Sequence, residues 1–389
     1  MKPNAAAIRF PAPAFSRLLA SLVVPLAALF LASWHAPLLA AESIVIGRSL
    51  ALSGALKAYG EAKRDGGDAY IDKVNKAGGV GGKQISLVTL DDEYAPPKTV
   101  ANLKKLASEN APTAFLGLFG VPTVAAALPV LLELKIPAVG LTSGTAAVRT
   151  PHNPYAFPVR ASYADEARKL VSHVKTMGLT KVAVMYTDNP FGEAVKSTLL
   201  EVLRAEKIEP TLFKLDPAGA NATALVKEVD ATKPQSVFLC MLSQAAIASL
   251  IEFKKTPAYE LIYTFSTVDT TGVVKALGGA AAGLMITQIV PIPAGSRSRV
   301  VVEYVQALKD LGRGSPSFYG LEGFIEAKVL VEGLRRAAPA TSPASLGKAL
   351  ESMREFDAGD FVVSYQPGNH AGSKFVEIDV VDSAGTVRR

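Results

Sequence analysis

Cysteine is nearly absent from this sequence. The 389 residues contain a single cysteine, Cys240, which excludes a framework of disulfide bonds and any zinc module built from cysteines. Histidine is also scarce, with four residues at positions 35, 152, 173 and 370, and no HExxH pair occurs among them. The sequence therefore argues against a dedicated zinc hydrolase.

The composition is that of a globular chain with little excess charge. Hydrophobic residues make up 49% of the sequence, charged residues 20% and aromatic residues 7%, which excludes intrinsic disorder and suffices for two domains, each with its own core. The sequence has 41 basic and 35 acidic residues, and three of the basic residues lie within positions 1–41, so 38 remain beyond them. These are dispersed without interleaved aromatic residues, a pattern that disfavours nucleic-acid binding.

The first 41 residues have the pattern of a secretory signal peptide. Basic residues precede the apolar stretch Leu18–Ala32, and small residues follow up to Ala41, where we expect cleavage. The alternative, a membrane anchor, is disfavoured because the stretch is shorter than the roughly 20 residues that span a bilayer and because Pro25 interrupts it. No cysteine lies near the cleavage site, so attachment to lipid is not expected. The sequence thus predicts export to the periplasm.

Short β-branched stretches alternate with longer amphipathic stretches from Ser43 onward. One series of alternating strands and helices occupies residues 43–141, and a second occupies residues 164–290. Such alternation is typical of parallel sheets with helices on both faces. We therefore predict an α/β fold with two doubly wound, parallel-sheet lobes.

The C-terminal part of the chain departs from this alternation. Two helices are predicted, at Arg297–Leu311 and Phe318–Ala337, and they would add to one lobe. The tail then shows two strand patterns, Asp360–Tyr365 and Lys374–Val381, which are joined by a loop containing glycine and proline.

Hydroxyl side chains and glycines collect in the loops that follow three predicted strands of the first series. These loops are Leu50–Tyr59, Phe119–Val124 and Thr142–Ala146, and two of them run into a helix. Ligands of open α/β sheets bind beyond the carboxyl ends of the strands, where backbone N–H groups and the positive end of a helix favour an anion. Each hydroxyl taken alone is more simply a helix cap, but three such loops on one sheet edge indicate a carboxylate site.

No motif of the sequence indicates catalysis. Gly78–Lys83 resembles a phosphate-binding loop but lacks the Walker spacing, so a helix end followed by a turn is the better interpretation. No G-x-S-x-G elbow occurs, Asp91–Glu93 fits a solvated strand end better than a cation site, and Cys240 lies in an apolar strand. The sequence predicts a binding protein and not an enzyme, with no metal and no cofactor.

Several short motifs follow one another along residues 43–389. They are Leu52–Gly54 with Tyr59–Gly60, Ala77–Lys83, Leu90–Pro97, Ile136–Val139, Phe157–Arg160 and Ala183–Gly192. In their order and spacing the chain resembles the periplasmic leucine/isoleucine/valine-binding protein family, the type I solute receptors of ABC transporters.

This resemblance implies a clamp of two lobes joined by three hinge crossovers, near residues 160, 290 and 354. The first lobe would comprise residues 42–160 and 291–353. The second would comprise residues 161–290 and 354–389, so that the tail strands would lie in the second lobe.

The same resemblance implies a ligand site between the lobes. Thr123 and the loop of Ser143 and Thr145 would hold a ligand carboxylate, and Tyr59 would stack over the ligand. The second lobe would contribute an aromatic ring at Phe191 and contacts near Met241. The full set of expected ligand-binding residues is Ser53, Tyr59, Thr123, Thr142, Ser143, Thr145, Tyr163, Phe191, Met241, Ser266 and Asp269.

The acidic positions of the family pattern fall on other residue types in this chain. One falls near Ser266, with Asp269 three residues on, and the other falls around Tyr163, with Asp165 and Glu166 next. A buried ammonium group without a carboxylate partner is costly. Either Asp269 or Asp165 therefore takes that role, or the ligand is not an α-amino acid. Branched-chain and other amino acids, and aromatic or aliphatic acids, remain open.

The leading hypothesis is a receptor that captures a small carboxylate by lobe closure and delivers it to an ABC permease of the inner membrane. The alternative is a periplasmic sensor subunit that presents its closed shape to a membrane signalling protein. An exported α/β enzyme is disfavoured by the missing catalytic constellation. We expect a monomer with no nucleic-acid partner.

Overall fold

The computed structural model describes residues 43–255 and 261–389. The predicted signal peptide, residues 1–41, lies outside the described residues. The helices are α1 Lys57–Lys76, α2 Pro96–Asn110, α3 Val121–Leu134, α4 Tyr163–Thr176, α5 Pro190–Ala205, α6 Ala222–Ala231, α7 Ser243–Phe253, α8 Thr270–Leu277, α9 Arg299–Leu311, α10 Phe318–Ala337 and α11 Pro343–Glu351. Within the described residues, no helix combines the length and the apolar character that crossing a membrane requires.

The strands fall into three sheets. They are β1 Ile44–Leu50, β2 Ile85–Asp91, β3 Ala114–Phe119, β4 Ala138–Thr142, β5 Ala156–Phe157, β6 Val182–Thr187, β7 Thr211–Leu215, β8 Ser236–Cys240, β9 Ile262–Thr264, β10 Leu284–Gln288, β11 Phe356–Asp357, β12 Val362–Gln366, β13 Asn369–Gly372, β14 Glu377–Val381 and β15 Val387–Arg388.

The first sheet is parallel throughout, with five strands in the order β2-β1-β3-β4-β5. β3 and β4 are buried along their whole length. Leu116 and Val139 pack in one apolar cluster with α1 and α10, whereas Phe115 and Ala138 pack in another with α2 and α3. Helices thus cover both faces, which explains why these strands are continuously apolar.

The second sheet has seven strands in the order β15-β14-β10-β9-β8-β6-β7. Its strands are parallel from β7 to β10, while β14 and β15 are added in antiparallel pairs. Val237 and Leu239 pack on one face, and Phe238 and Cys240 pack on the other. Two doubly wound lobes, each with a parallel sheet between helices, confirm the predicted fold class.

The tail differs from the sequence-based expectation. Both predicted strands form, as β12 and β14, but β12 pairs with β11 and β13 in a separate three-stranded sheet, whereas β14 joins the second sheet. Phe361, Val363 and Tyr365 lie in the same apolar cluster as the first sheet, and the Tyr365 hydroxyl donates to the Pro158 carbonyl at 2.9 Å. The chain therefore enters the second sheet between β13 and β14, and not near residue 354.

Two helices that were not predicted are short and begin at capping side chains. The Asp269 carboxylate accepts from the Gly272 N–H at 3.0 Å at the start of α8. Ser342 and Ser345 form a reciprocal capping box at the start of α11, with Pro343 in its first turn. Both helices are too short to show a clear helical period of apolar residues, so the sequence pattern did not predict them.

Helices α1 and α10 approach each other closely through glycines. A Cβ atom placed on Gly66 would lie 1.8 Å from the Gly320 carbonyl oxygen, and one placed on Gly323 would lie 2.3 Å from the Lys63 carbonyl oxygen. The missing side chains let the two backbones meet. This contact places Lys63 of α1 beside the carboxylates of α10, below the cleft between the lobes.

We expect Gly66→Ala to lower the free energy of unfolding by on the order of 2–3 kcal/mol, because the new methyl group must push two helix backbones apart. Gly347→Ala is the matched control, since its Cβ would meet nothing within 4 Å inside α11. That change should raise stability by roughly 0.5–1 kcal/mol. Urea unfolding of the two variants measures both effects. Equal stabilities would contradict the close helix contact.

Candidate functional site

A small cavity lies between the two lobes. It sits at the carboxyl ends of β3 and β4 and of β8 and β9, where open α/β sheets bind their ligands. Its lining residues are Leu56, Tyr94, Phe119, Gly120, Val121, Thr142, Arg160, Tyr163, Phe191, Leu242, Thr267 and Tyr319. Both lobes therefore contribute to one site.

Aromatic rings form most of the cavity wall. Tyr59 and Phe119 both pack against Tyr319, with ring centroids 4.8 and 5.9 Å away, and Tyr94 packs against Phe119 at 5.9 Å. On the side of the second lobe, the ring of Tyr163 meets the ring of Phe191 in α5 edge-on, with centroids 6.4 Å apart. Such edge and tilted contacts hold the rings in place before any ligand arrives.

Two tyrosine hydroxyls join the lobes across the cleft. The Tyr59 hydroxyl of α1 donates to Ser243 Oγ at the start of α7. Ser243 Oγ also accepts from the Asp269 N–H at 2.7 Å. The Tyr319 hydroxyl of α10 donates to the Thr267 carbonyl at 3.2 Å. Burial raises the pKa of Tyr59 to about 12, so this hydroxyl keeps the proton that the contact between the lobes uses.

Arg160 lies in the segment that connects β5 to α4, and its side chain is 2% exposed. Its Nη2 donates to Glu166 Oε1 at 3.0 Å and to Ser266 Oγ at 2.6 Å, while Nη1 lies 3.9 Å from Glu322 Oε1. Burial disfavours the charged guanidinium group and by itself would lower the pKa of Arg160. The negative charges of Glu322 and Glu166 outweigh this effect and raise the pKa above its usual value. Among the described residues, Arg160 Nε has no hydrogen-bond partner.

Glu166 ties this arginine to the second sheet. Its carboxylate accepts from the Ser266 N–H at 2.9 Å, from the Ser266 hydroxyl at 3.1 Å and from the Thr287 hydroxyl at 2.6 Å. With Arg160 added, the Glu166 carboxylate accepts four hydrogen bonds within the protein. A buried carboxylate satisfied in this way is not free to bind a ligand ammonium group.

A second buried cation, Lys63, continues the network into the first lobe. Lys63 Nζ lies 2.7 Å from Glu326 Oε1 and 3.9 Å from Glu322 Oε2. Burial raises the pKa of Glu326 to about 7, against the opposing charge of Lys63 and with the support of Glu322. The network holds two cations and three carboxylates, so a proton on Glu326 makes it neutral. Glu326 Oε2, which has no partner among the described residues, is the atom where that proton fits.

Three of the eleven predicted site residues line the cavity, namely Thr142, Tyr163 and Phe191. Tyr59 lies directly behind the wall, in contact with the rings of Phe119 and Tyr319.

The hydroxyls predicted to hold a carboxylate bond instead to nearby groups of the protein. Thr123 Oγ1 donates to the carbonyl of Phe119 one turn earlier, Ser143 Oγ and Thr145 Oγ1 bond each other at 2.9 Å, and Ser53 bonds the side chain of Asp91. These are bonds to nearby groups, and among the described residues no side chain caps the short helices or α3 that begin at these loops.

The predicted residues of the second lobe are also engaged within the protein. Met241 is fully buried in an apolar cluster, and its neighbour Leu242 lines the cavity instead. Ser266 belongs to the network of Arg160. Asp269 caps α8, and although burial raises its pKa, hydrogen bonds from backbone N–H groups of the same helix oppose this rise. Asp165 bonds Ser162 at the start of α4.

Sequence reasoning missed Tyr94, Arg160, Thr267 and Tyr319 as cavity residues. Arg160 had a signal, since it ends the Phe157–Arg160 motif where the chain leaves the first sheet. Tyr319 had none, because it lies in a helix far along the chain with a periodicity typical of any packed helix.

Two doubly wound lobes with a lined cavity between their strand ends define a class of two-lobed ligand-binding proteins. Within this class, the family model described as periplasmic binding protein matches residues 43–384, and the chain belongs to this family.

Known relatives cover the chain to different extents. The Leu/Ile/Val-binding protein homolog 3 of Brucella melitensis is 20% identical over 86% of this chain and 90% of its own length. An amino acid binding protein of Pseudomonas aeruginosa is 24% identical over 51% of this chain, which spans about half, 54%, of that relative. The crystal structure of an extracellular ligand-binding receptor from Verminephrobacter eiseniae is 28% identical, covers 90% of this chain and 100% of its own, and superposes with a TM-score of 0.83.

We expect Glu326→Gln to remove a pH dependence of stability. Because burial raises the pKa of Glu326 from 4.5 to about 7, the native protein holds a proton that the unfolded chain has lost between these pH values. Its contribution is fully present below about pH 4.5 and is lost as the pH rises through about 7. Relative to the variant, the wild type should lose on the order of 2–3 kcal/mol across this window. Urea unfolding at a series of pH values measures the difference, and parallel curves would contradict the assignment.

Proposed function

We propose that this protein is an exported receptor that captures a small carboxylate by lobe closure and delivers it to an ABC permease of the inner membrane. The observation that carries this proposal is the cavity shared by both lobes, whose lining combines five aromatic rings with Arg160. N-terminal sequencing of the exported protein should find a start near Glu42, and an uncleaved Met1 would contradict the export step.

The carboxylate end of the ligand fits the donors on one side of the cavity. Tyr94 accepts a hydrogen bond from the Val121 backbone N–H, and burial raises the pKa of Tyr94 so that its own proton stays available for donation. The Val121 N–H belongs to the first turn of α3, whose positive end faces this wall. The unpartnered Nε of Arg160 and the Thr142 hydroxyl, whose bond to Glu326 Oε1 is long at 3.4 Å, complete a donor set for an anion.

The body of the ligand fits an apolar or aromatic group. Among the described residues that line the cavity, none is a carboxylate, and Arg160 is the charged side chain. Asp165 and Asp269 both serve as helix caps. An α-amino acid would bury its ammonium group without a carboxylate partner, which is costly. We therefore favour an aromatic or aliphatic acid without an ammonium group over the amino acids named for the relatives.

Closure follows from contacts that exist only when the lobes meet. The bonds of Tyr59 to Ser243 and of Tyr319 to Thr267 join residues of different lobes. A ligand shifts the protein to this closed form only by as much as it binds the closed form more tightly. Small-angle scattering should therefore show a more compact particle with bound ligand than without it.

A thermal-shift screen with matched pairs of probes tests the ligand class. L-Leucine is paired with isocaproate, and L-phenylalanine with hydrocinnamate, so that each pair differs in the ammonium group. We expect the acids to raise the melting temperature more than the amino acids, because a probe at 100 times its dissociation constant stabilises the native state by about 2.7 kcal/mol. A larger shift with the amino acids would overturn the ligand class, and no shift with any probe would count against the small-carboxylate proposal.

Thr142→Val tests the donor set with the acid that gives the larger shift. Loss of one hydroxyl that bonds a charged group costs about 1.5–3 kcal/mol, so we expect the affinity to fall roughly ten- to a hundredfold by calorimetry. Thr123→Val is the matched control. Its hydroxyl bonds the Phe119 carbonyl at the end of β3, so this change should lower stability and leave affinity nearly unchanged. The opposite pattern would restore Thr123 as the carboxylate ligand.

A further inference from the structure

Three side chains from distant parts of the chain converge in the first lobe. His152 precedes β5, Glu351 ends α11 and His370 lies in β13. One potential metal-ligand atom from each residue lies within 4.8 Å of those from the other two. His152 is exposed, whereas the ring of His370 is buried and stacks on Phe157 with centroids 3.9 Å apart. The cluster is therefore anchored on its inner side and open to solvent on its outer side.

The proton of His370 is assigned by its surroundings. Its Nδ1 lies 2.9 Å from the Ala156 carbonyl oxygen, an atom that can only accept a hydrogen bond. Nδ1 therefore carries a proton, and in the neutral ring Nε2 presents its lone pair. A hydrogen bond from the other ring nitrogen to a backbone carbonyl is the usual arrangement of a metal-binding histidine.

The Nε2 atom of His370 lies beside the carboxylate of Glu351, which also carries lone pairs. Glu351 Oε1 lies 3.2 Å from it, so two lone pairs meet unless a positive charge lies between them. Ligand atoms that bind one zinc ion at roughly 2.0–2.2 Å in tetrahedral geometry are about 3.3–3.6 Å apart, close to this distance. His152, whose ring centroid is 4.5 Å from that of His370, can turn from solvent to supply a third ligand.

We propose that His152, Glu351 and His370 bind a divalent transition-metal ion, with Zn²⁺ the best match. Two imidazoles and one carboxylate suit zinc, whereas Mg²⁺ and Ca²⁺ require more oxygen ligands. Three protein ligands leave one tetrahedral position for water. The site lies apart from the residues that line the cavity between the lobes. The ion joins the loop before β5, the end of α11 and β13, and so fixes the segment that leads to Arg160.

Calorimetry with zinc chloride tests this proposal on the full chain, purified without a histidine tag and stripped with a chelator. We expect one zinc ion per chain and a higher melting temperature with zinc than without it, while magnesium chloride has no effect. Co²⁺ should give the intense visible absorption of a site with few ligands. Absence of stoichiometric zinc binding would overturn the proposal.

Two variants separate a metal site from a simple pair of imidazolium and carboxylate. His152→Ala changes an exposed residue, and Glu351→Gln keeps the shape of the side chain, so both should fold. Each should weaken zinc binding at least tenfold, since even the loss of a group that only hydrogen-bonds a metal ligand lowers metal affinity about ten- to a hundredfold. His173→Ala is the control, because His173 pairs with Tyr263 in the second lobe and should bind zinc like the wild type. Unchanged zinc affinity in the first two variants, or an equal loss in the control, would overturn the site.

Discussion

The buried guanidinium group of Arg160 is the interaction on which both lobes depend. Removing such an ion from water costs several kcal/mol, and the cost is offset only if the ion is paired and hydrogen-bonded. The partners come from two sides, with Glu166 and Ser266 in the second lobe and Glu322 in α10 of the first. A change in the angle between the lobes must therefore keep or exchange these partners, which couples the hinge to the floor of the cavity.

The same network shapes what the cavity can bind. Glu166 is saturated by protein donors, Glu326 is paired with Lys63, and Glu322 lies 3.9 Å from Lys63 and from Arg160, so each carboxylate of this network faces a cation of the protein. Among the residues that line the cavity, donors are left in the unpartnered Nε of Arg160, the Tyr94 hydroxyl and the Thr142 hydroxyl, which is bonded to Glu326 Oε1 at 3.4 Å. In the proposed function these groups donate to an anion, and the surrounding aromatic rings take up its apolar body. The chemistry of the pocket is thus decided by which charges the fold has already neutralised.

The segment between β5 and α4 is held from both ends. Arg160 fixes its far end through the charge network, while Tyr365 bonds the Pro158 carbonyl and His370 bonds the Ala156 carbonyl at its near end. The proposed zinc site would strengthen this near end, because it joins His370 to α11. The three-stranded sheet of the tail therefore holds this segment against the first lobe, although the strands that follow it belong to the second sheet.

The elements of the fold were largely readable from local sequence. The predicted helix Phe318–Ala337 coincides with α10, and the predicted helix Arg297–Leu311 differs from α9 only by two residues at its start. When a helix or strand buries one face, its apolar residues repeat with the period of that element, and this spacing is visible in the sequence. The order of strands and helices, and from it the two-lobed class, followed from these periods. The helices α8 and α11, which begin at capping side chains, are too short for their apolar period to be detected.

Site chemistry was determined by packing between distant residues. Thr123 looked like a carboxylate ligand from its place after a strand, yet its hydroxyl bonds the carbonyl of Phe119 at the end of that strand. Lys63 meets Glu326 across 263 positions of sequence, and His152 meets His370 only because β13 packs beside β5. The class of fold, and the sheet edge at which we propose that a ligand binds, could be read from the sequence because both depend on local periodicity. Only the tertiary structure decided which polar groups remain free there, because a charge is available to a ligand only when no residue elsewhere in the chain has already paired with it.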